Sequence, residues 1–199
     1  GVHPDEVGEL NEERFAWLKE QLQKPKIVAV GEIGLDYYWD KEKRDVQKEW
    51  FVRQLRLAKE LKKPVVIHSR EAAADTMEIL KAEVSKEISY EMHCYSYSPE
   101  MAAEYLKMGF YLGIGGVLTF KNAKKLKEVV EIAPIERLLL ETDCPYLAPV
   151  PNRGKRNDST NIHYVAEELA RLKGMTPEEV IRITEENARR FYRISEENV

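Results

Sequence analysis

Four short, largely apolar runs of this sequence, each read as a buried strand, are followed by an acid or a histidine. The four residues are Glu32, His68, His93 and Asp143. Carboxylate oxygens and imidazole nitrogens are the groups that hold divalent cations in proteins. One such residue at a strand end is more often a hydrogen-bonded or capping group than a ligand. The same pattern at four strands favours a metal site.

The elements that must position these residues alternate regularly between strand and helix. Strands are predicted through Glu32, over 64–68, 88–93 and 110–116, and up to Asp143. Apolar periodicity and capping residues predict helices over 11–24, 42–62, 70–84, 98–109, 121–132 and 159–173, and one that begins at Thr176. These elements make five complete strand-then-helix pairs, preceded by a strand tail with its own helix.

This alternation is typical of a parallel sheet covered by helices. Because chemical groups come from the ends of several strands, a closed barrel is favoured over an open sheet. The predicted fold class is α/β, a (β/α)8 TIM barrel. About six of the eight units of such a barrel are visible. Since Gly1-Val2-His3-Pro4 looks like the tail of a strand and no initiator methionine precedes it, we expect the barrel to be incomplete at its N-terminal end.

Composition places bounds on the class of protein. The 199 residues, 43% of them hydrophobic, suffice for one well-filled core, and we expect a single domain over 1–199. With 31 basic and 35 acidic residues the net charge is −4, so no global field draws the protein to nucleic acid or membranes. The sequence shows neither a transmembrane run nor a signal peptide, which favours the cytoplasm. Cys94 and Cys144 are expected as buried, unpaired thiols.

Several motifs resemble those of the TatD family of metal-dependent deoxyribonucleases, in the family's order and over nearly the whole chain. They are Gly1-Val2-His3-Pro4, the run from Gly31 to Asp36, His68-Ser69-Arg70-Glu71-Ala72, the run from Leu140 to Leu147, and the run from Arg153 to Asn157. The resemblance implies a TIM barrel of the metal-dependent hydrolase type. It also implies two divalent metal ions and hydrolysis of phosphodiester bonds in DNA, with metal-activated water as the nucleophile.

The resemblance further implies a role for each predicted ligand. Glu32 matches the family's metal-bridging glutamate, and Asp143 matches a ligand of the first metal that can also act as general base. His68 and His93 match the ligands of the second metal. Mg²⁺ or Mn²⁺ is the expected ion, and the two imidazoles leave Zn²⁺ open. The family's His-x-His pair has no counterpart in this sequence, so a chain that naturally began at Gly1 would hold its first ion weakly, leaving only one ion in place.

Substrate binding is predicted at basic residues that follow the ligand-bearing strands. Arg153, Lys155 and Arg156 place three cations within four positions of the loop after Asp143, where they can bind the phosphates of DNA. Arg70, two residues beyond His68, is a weaker candidate of the same kind. The alternative for all four is an ordinary solvated surface.

Other residues near the predicted site have two interpretations. The aromatic run Tyr37-Tyr38-Trp39 can stack on a ligand or cover the rim of the barrel. His3 is interpreted as a structural residue at the rim, and His163 as a surface or packing residue of a helix.

Two other functions compete with the nuclease. The first is an amidohydrolase acting on a small cyclic amide or ester, with the same barrel and metals. Against it, Glu32 stands where many such enzymes carry a carbamylated lysine, and the basic loop has no use with a neutral substrate. The second is an inactive barrel fragment or binding scaffold that retains one metal site at most.

Overall fold

A computed structural model describes residues 1–195 of the chain and contains all five predicted strand–helix pairs. The strands are β1 (Val30–Asp36), β2 (Val65–Arg70), β3 (Tyr90–Met92), β4 (Tyr111–Ile114) and β5 (Leu138–Leu140). The helices are α1 (Glu12–Leu22), α2 (Arg44–Glu60), α3 (Ala73–Glu83), α4 (Pro99–Lys107), α5 (Lys124–Ile132), α6 (Ile162–Lys173) and α7 (Pro177–Tyr192). The predicted α/β class is confirmed.

The chain divides into two compact units. The first comprises Gly1–His93 and the chain from Phe191 on, and the second comprises Cys94–Arg190. The expectation of a single domain over 1–199 therefore stays a prediction. Among residues 1–195, no helix is both long enough and apolar enough to cross a membrane.

In the first unit, β1, β2 and β3 lie side by side in chain order and run parallel. Helix α2 packs against β1 and α3. Its apolar stripe, predicted from the sequence, is buried at Trp50, Phe51, Leu55 and Ala58. Fully burying one large apolar side chain contributes about 1.5–3 kcal/mol, so this stripe fixes α2 against the strand that carries Glu32.

Gly34 allows β1 and β2 to approach closely near the predicted ligands. It pairs with His68 in the parallel ladder and has a φ of +150°. A Cβ atom at this position would lie 1.8 Å from the backbone oxygen of His68. Only glycine fits that separation, and the ladder therefore continues past Gly34 to Asp36 opposite Arg70.

In the second unit, β4 and β5 pair in parallel from Leu112 opposite Leu138. The helix predicted to begin at Thr176 is confirmed and starts with a capping box, because the Glu179 carboxylate accepts from the Thr176 backbone N–H while Thr176 Oγ1 accepts from that of Glu179. Gly174, with a φ of +65°, ends α6.

The strand ends differ from the prediction at three of the four proposed ligands. Glu32 and His68 lie inside β1 and β2, because the ladder continues beyond them past Gly34. Strand β5 ends at Leu140, and Asp143 lies three residues later with a φ of +54°, a left-handed conformation that turns the chain out of an extended path. Only His93 directly follows its strand, β3.

Two smaller expectations also need correction. Helix α3 begins at Ala73 rather than at Arg70, because Arg70 is still part of β2 and Glu71 has a φ of +52°. Neither cysteine forms a disulfide, as predicted, but neither is fully buried: Cys94 is half-buried and Cys144 is exposed.

Glu168 of α6 joins two helices of the second unit and gives a testable prediction. Its carboxylate accepts two hydrogen bonds from Arg171, at 2.8 and 2.9 Å, and lies 2.9 Å from Lys127 Nζ on α5. The hydrogen bonds from Arg171 outweigh burial and, with Lys127, lower the pKa of Glu168 to about 2. A carboxylate with a depressed pKa stabilises the fold above its unfolded pKa and loses that contribution as pH falls through the folded value.

We therefore expect Glu168→Gln to lower the free energy of unfolding at pH 7 by about 1–2 kcal/mol. The difference from wild type should shrink as the pH falls from 4.5, the ordinary pKa of the carboxyl, toward about 2, its pKa in the folded protein. Urea denaturation followed by circular dichroism at several pH values measures both effects. The exposed neighbour Glu167 supplies the control Glu167→Gln, and an equal loss in both variants would contradict the prediction.

Candidate metal centre

Three of the four predicted ligands converge in the first unit. Glu32 Oε2 lies 3.6 Å from His68 Nδ1 and 3.5 Å from His93 Nε2. The side chains of His68 and His93 are 19% and 10% exposed, and that of Glu32 is 33% exposed, so the group is half-buried but open to solvent on the side of the carboxylate. Strands β1 and β2 and the residue directly after β3 thus bring one carboxylate and two imidazoles together.

The charge state of Glu32 follows from these neighbours. Burial by itself raises the pKa of this carboxyl, but contact with His68 and the charges of His93, His68 and His3 together outweigh burial. The pKa of Glu32 therefore lies below its ordinary value, and the side chain is ionised at neutral pH. An ionised carboxylate offers two oxygens, so that it can bind one cation or bridge two.

Asp36 fixes the orientation of the His68 ring through a contact with its Nε2 atom. Asp36 Oδ2 lies 3.0 Å from His68 Nε2, and the Asp36 side chain is only 1% exposed. Because a carboxylate only accepts hydrogen bonds, Nε2 carries the proton in the neutral ring and Nδ1 keeps its lone pair. That lone pair is on the side of Glu32. A carboxylate behind a histidine in this way is the usual support of a metal-binding imidazole.

Asp36 is in turn held by its own neighbours. Its Oδ1 accepts from the backbone N–H groups of Tyr38 and Trp39, at 2.8 and 3.0 Å. The fully buried Gln47 of α2 accepts from the Asp36 N–H at 2.8 Å and donates to the Asp36 carbonyl at 2.9 Å. Neither Asp36 nor Gln47 was predicted from the sequence as a functional residue. A glutamine within the apolar stripe of α2 was the signal that could have pointed to this contact.

His3 also lies at the centre, although the sequence analysis assigned it a structural role. Its ring centroid is 4.4 Å from that of His68, and one ligand atom each of His3, Glu32 and His68 lie within 4.8 Å of one another. Burial and then His68 lower the pKa of His3. Its Nδ1 accepts from the Asp5 N–H at 3.3 Å and lies 3.5 Å from the Asp5 carboxylate.

The donor set fits a divalent cation. Two donors that each lie about 2.1 Å from one ion are separated by about 3–3.5 Å, and the two separations from Glu32 Oε2 are 3.5 and 3.6 Å. These separations are too long for strong hydrogen bonds between carboxylate and imidazole. One carboxylate and two imidazoles suit Mn²⁺ and Zn²⁺ more directly than Mg²⁺.

Asp143, the fourth predicted ligand, belongs to the second unit. Its backbone carbonyl accepts from the Tyr146 N–H at 2.9 Å, within the loop that follows β5. Nearby, the Glu141 carboxylate accepts a hydrogen bond from the Cys94 backbone N–H. The roles of Asp143 as metal ligand and general base stay predictions.

The predicted phosphate-binding loop is anchored beside Asp143 within the same unit. Arg153, Lys155 and Arg156 are exposed, whereas the next residue, Asn157, is 2% exposed. The Asn157 side-chain amide donates to the carbonyls of Thr142 and Tyr146, at 2.7 and 2.8 Å. These two bonds bracket Asp143, so Asn157 fixes the basic loop against the segment that carries the aspartate. This anchoring role of Asn157 was not predicted from the sequence.

The remaining predicted site residues lie in separate places. Arg70 is exposed at the end of β2, with its guanidinium carbon 4.1 Å from the centre of the Tyr38 ring. His163 is exposed on α6 and its Nδ1 lies 2.7 Å from the Thr160 carbonyl oxygen, in agreement with a surface histidine.

Comparison with known proteins finds one matching family model and several similar sequences. The family model described as TatD related DNase matches residues 1–193. The uncharacterized metal-dependent hydrolase YabD of Bacillus subtilis is 52% identical over 195 residues, which are 98% of this chain and 76% of that protein. A protein named 3'-5' ssDNA/RNA exonuclease TatD, from a Rahnella strain, is 34% identical over 200 residues, with 98% of this chain and 76% of that protein covered.

A solved structure also matches this chain in fold. YJJV, a TatD homologue from Escherichia coli K12, matches with a TM-score of 0.91 at 28% identity, over 98% of this chain and 76% of that chain. This match agrees with the predicted TIM-barrel-like α/β fold. The extent to which the barrel is incomplete stays a prediction.

The contact between Asp36 and His68 makes a prediction about metal affinity. In Asp36→Asn the amide can donate to Nε2, which favours the tautomer whose Nδ1 carries the proton and cannot bind an ion. We expect the affinity for Mn²⁺ to fall about 10- to 100-fold. Isothermal titration calorimetry on the metal-free protein measures it, with circular dichroism as a check on folding.

The matched control is Asp45→Asn, at an exposed position of the first turn of α2. It makes the same change of charge without touching a histidine and should bind Mn²⁺ as wild type does. Wild-type affinity in a folded Asp36→Asn protein would refute the orienting role of Asp36.

Proposed function

Because this chain belongs to the TatD related DNase family of metal-dependent hydrolases, we propose that it hydrolyses phosphodiester bonds in DNA. The observation that carries the proposal is the convergence of Glu32, His68 and His93, with one carboxylate oxygen within 3.6 Å of both imidazoles. A phosphodiester is a poor electrophile because one negative charge is shared by its two nonbridging oxygens, so that its hydrolysis needs concentrated positive charge, which a cation held by such a donor set can supply.

Glu32, His68 and His93 would hold a divalent cation, and the family site takes two with the participation of Asp143. Mg²⁺ and Mn²⁺ are the proposed physiological ions, and Zn²⁺ fits the two imidazoles. When bound, such a cation supplies positive charge against the phosphoryl oxygens and makes water a stronger nucleophile at neutral pH.

The residues of the chain have distinct tasks in this proposal. Glu32, kept ionised by its imidazole neighbours, supplies negative charge and two oxygens to the centre. Asp36 keeps the proton of His68 on Nε2 and so leaves Nδ1 available. Asp143 acts as general base, accepting at its carboxylate the proton that the attacking water loses.

The basic loop is the proposed binding site for the DNA backbone. The guanidinium carbon of Arg153 lies 4.3 Å from the centre of the Phe120 ring, which holds the side chain in place. Within residues 1–195, none of Arg153, Lys155 and Arg156 forms an ion pair with a carboxylate. Cations that are exposed and free of carboxylates, in a chain of net charge −4, are suited to phosphate. The name of the Rahnella relative supports a nucleic-acid substrate.

The nuclease proposal is tested with a labelled single-stranded deoxyoligonucleotide and Mn²⁺. We expect strand cleavage that EDTA abolishes and added Mn²⁺ restores. Glu32→Gln should lower kcat by about two orders of magnitude or more, because it removes the ionised carboxylate of the centre. Gel or capillary electrophoresis of the products measures the rate.

The exposed Glu42 supplies the control Glu42→Gln, which should cleave as wild type does. Cleavage that survives both EDTA and Glu32→Gln would exclude a metal-dependent nuclease with this centre. A panel of small cyclic amides and esters, assayed in parallel, identifies the alternative: turnover of one of them, with DNA left intact, would make the protein an amidohydrolase.

The basic loop gives a separate prediction. Replacing Arg153, Lys155 and Arg156 together by glutamine should raise KM for the oligonucleotide with little change in kcat, because the loop binds the backbone and does not touch the reacting atoms. The slope of log affinity against log salt should decrease by about 2, since each phosphate contact on a single strand contributes about 0.7. Fluorescence anisotropy at several salt concentrations measures it.

A control with the same change of charge separates this contact from a global effect. It replaces three exposed lysines of the other unit by glutamine: Lys26, Lys81 and Lys86. An equal decrease of slope in both triple variants would mean that net charge, and not the loop, determines binding.

A further inference from the structure

We propose that Tyr38, Trp39 and Arg70 form a stacking surface for one unpaired nucleotide of the substrate, with the base on Trp39 and the adjoining phosphate on Arg70. The inference rests on the proposed function and specifies the substrate further, as a strand with an unstacked base beside the candidate metal centre. The sequence analysis left two interpretations of the aromatic run open, and the structure favours the stacking role.

The aromatic side chains are available for stacking. Trp39 is 67% exposed and Tyr38 is 44% exposed, and their rings meet edge to face with centroids 4.8 Å apart. Tyr37 differs from both, since it is 4% exposed and its hydroxyl donates to Asp75 at 2.7 Å. One residue of the run thus anchors the loop while the next two are presented to solvent. A ring that is two-thirds exposed covers little of the fold, which argues against a role in sealing the barrel rim.

The loop is tied to the metal centre through one side chain. Asp36 accepts from the backbone N–H groups of Tyr38 and Trp39 with one carboxylate oxygen, and its other oxygen contacts His68 Nε2 at 3.0 Å. Arg70 lies two residues beyond His68 on β2 and pairs with Asp36 in the ladder. A nucleotide on this surface would therefore be a direct neighbour of the residues that hold the cation.

No carboxylate among residues 1–195 neutralises the positive charge of Arg70 on this surface. Within the part of the chain that the structure describes, Arg70 forms no ion pair, and its guanidinium carbon lies 4.1 Å from the Tyr38 ring centre and 5.6 Å from that of Trp39. Two other arginines of the same unit each make a two-pronged pair with a glutamate, Arg53 with Glu12 and Arg56 with Glu83.

The geometry of Arg70 suits a phosphate. A guanidinium whose face lies on an aromatic ring keeps the N–H groups of its edge free, and that edge matches two oxygens of a phosphate. Base stacking on an aromatic side chain tolerates any sequence, because every base has a π-face. Aromatic faces and one free cation are together the chemistry that recognises a single-stranded nucleotide.

The experiment measures binding without cleavage. The affinity of the full chain for a fluorescein-labelled oligodeoxythymidylate of eight nucleotides is determined by anisotropy in EDTA, and compared with an oligomer of the same length in which every base is absent. We expect Trp39→Ala to weaken binding of the normal oligomer about 5- to 150-fold, the range that corresponds to loss of one base stack. It should leave binding of the base-free oligomer unchanged. Trp39→Phe should restore most of the affinity.

Further variants separate the two parts of the surface. Arg70→Gln should weaken binding of both oligomers, because both retain phosphates. Trp17→Ala, which removes a tryptophan that is 61% exposed on α1, is the matched control and should change neither affinity. An equal effect of Trp39→Ala on the two oligomers, or no effect on either, would overturn the stacking role.

The outcome is independent of the test of the proposed function. If the protein distinguishes the two oligomers through Trp39 but cleaves neither with Mn²⁺, the stacking surface stands and the hydrolytic proposal fails. If it cleaves the normal oligomer and Trp39→Ala leaves binding intact, the hydrolytic proposal stands and this one fails. If this surface binds a protein and not a nucleotide, the wild type will show no base-dependent binding. That result would overturn the proposal.

Discussion

The contact between the Asp36 carboxylate and His68 Nε2 is the interaction on which the arrangement of the first unit depends. Asp36 is almost completely buried, and a buried carboxylate is costly unless its oxygens are satisfied. Here the histidine and two backbone N–H groups of the following loop satisfy them. The same carboxylate therefore fixes the tautomer of a candidate ligand and the course of the loop that presents Trp39.

Contacts of the backbone around Asp36 hold its carboxylate in the position that reaches His68. Gln47 holds both the N–H and the carbonyl of Asp36 from α2, and Gly34 lets β1 approach the His68 backbone more closely than any other residue would. Helix, strand and loop thus meet at one side chain. The apolar stripe of α2 fixes this helix against β1 and so holds Gln47 on the Asp36 backbone.

The distribution of charge is compatible with the proposed binding of DNA by a chain of net charge −4. Several basic residues of the first unit pair with neighbouring carboxylates, as Arg53 and Arg56 do. Within residues 1–195, Arg70 and the loop of Arg153, Lys155 and Arg156 form no ion pair. Each lies close in the chain to a proposed ligand, His68 or Asp143. A cation acts on a phosphate over a short distance, where screening by salt is least effective.

The sequence by itself determined the alternation of strands and helices, the start of α7 at Thr176, and the selection of Glu32, His68 and His93 as candidate ligands, together with Asp143. These follow from local rules, because apolar periodicity and capping chemistry act over a few residues. The sequence did not determine where the strands end: the ladder passes Glu32 and His68 because of a close approach at Gly34 that only the paired strand reveals. Nor did it predict Asp36, Gln47 and His3, since their partners are 11 to 65 residues away in the chain. Tertiary structure decided those contacts, because a hydrogen bond to a buried carboxylate depends on which distant groups the packing brings within 3 Å, and no local pattern encodes that distance.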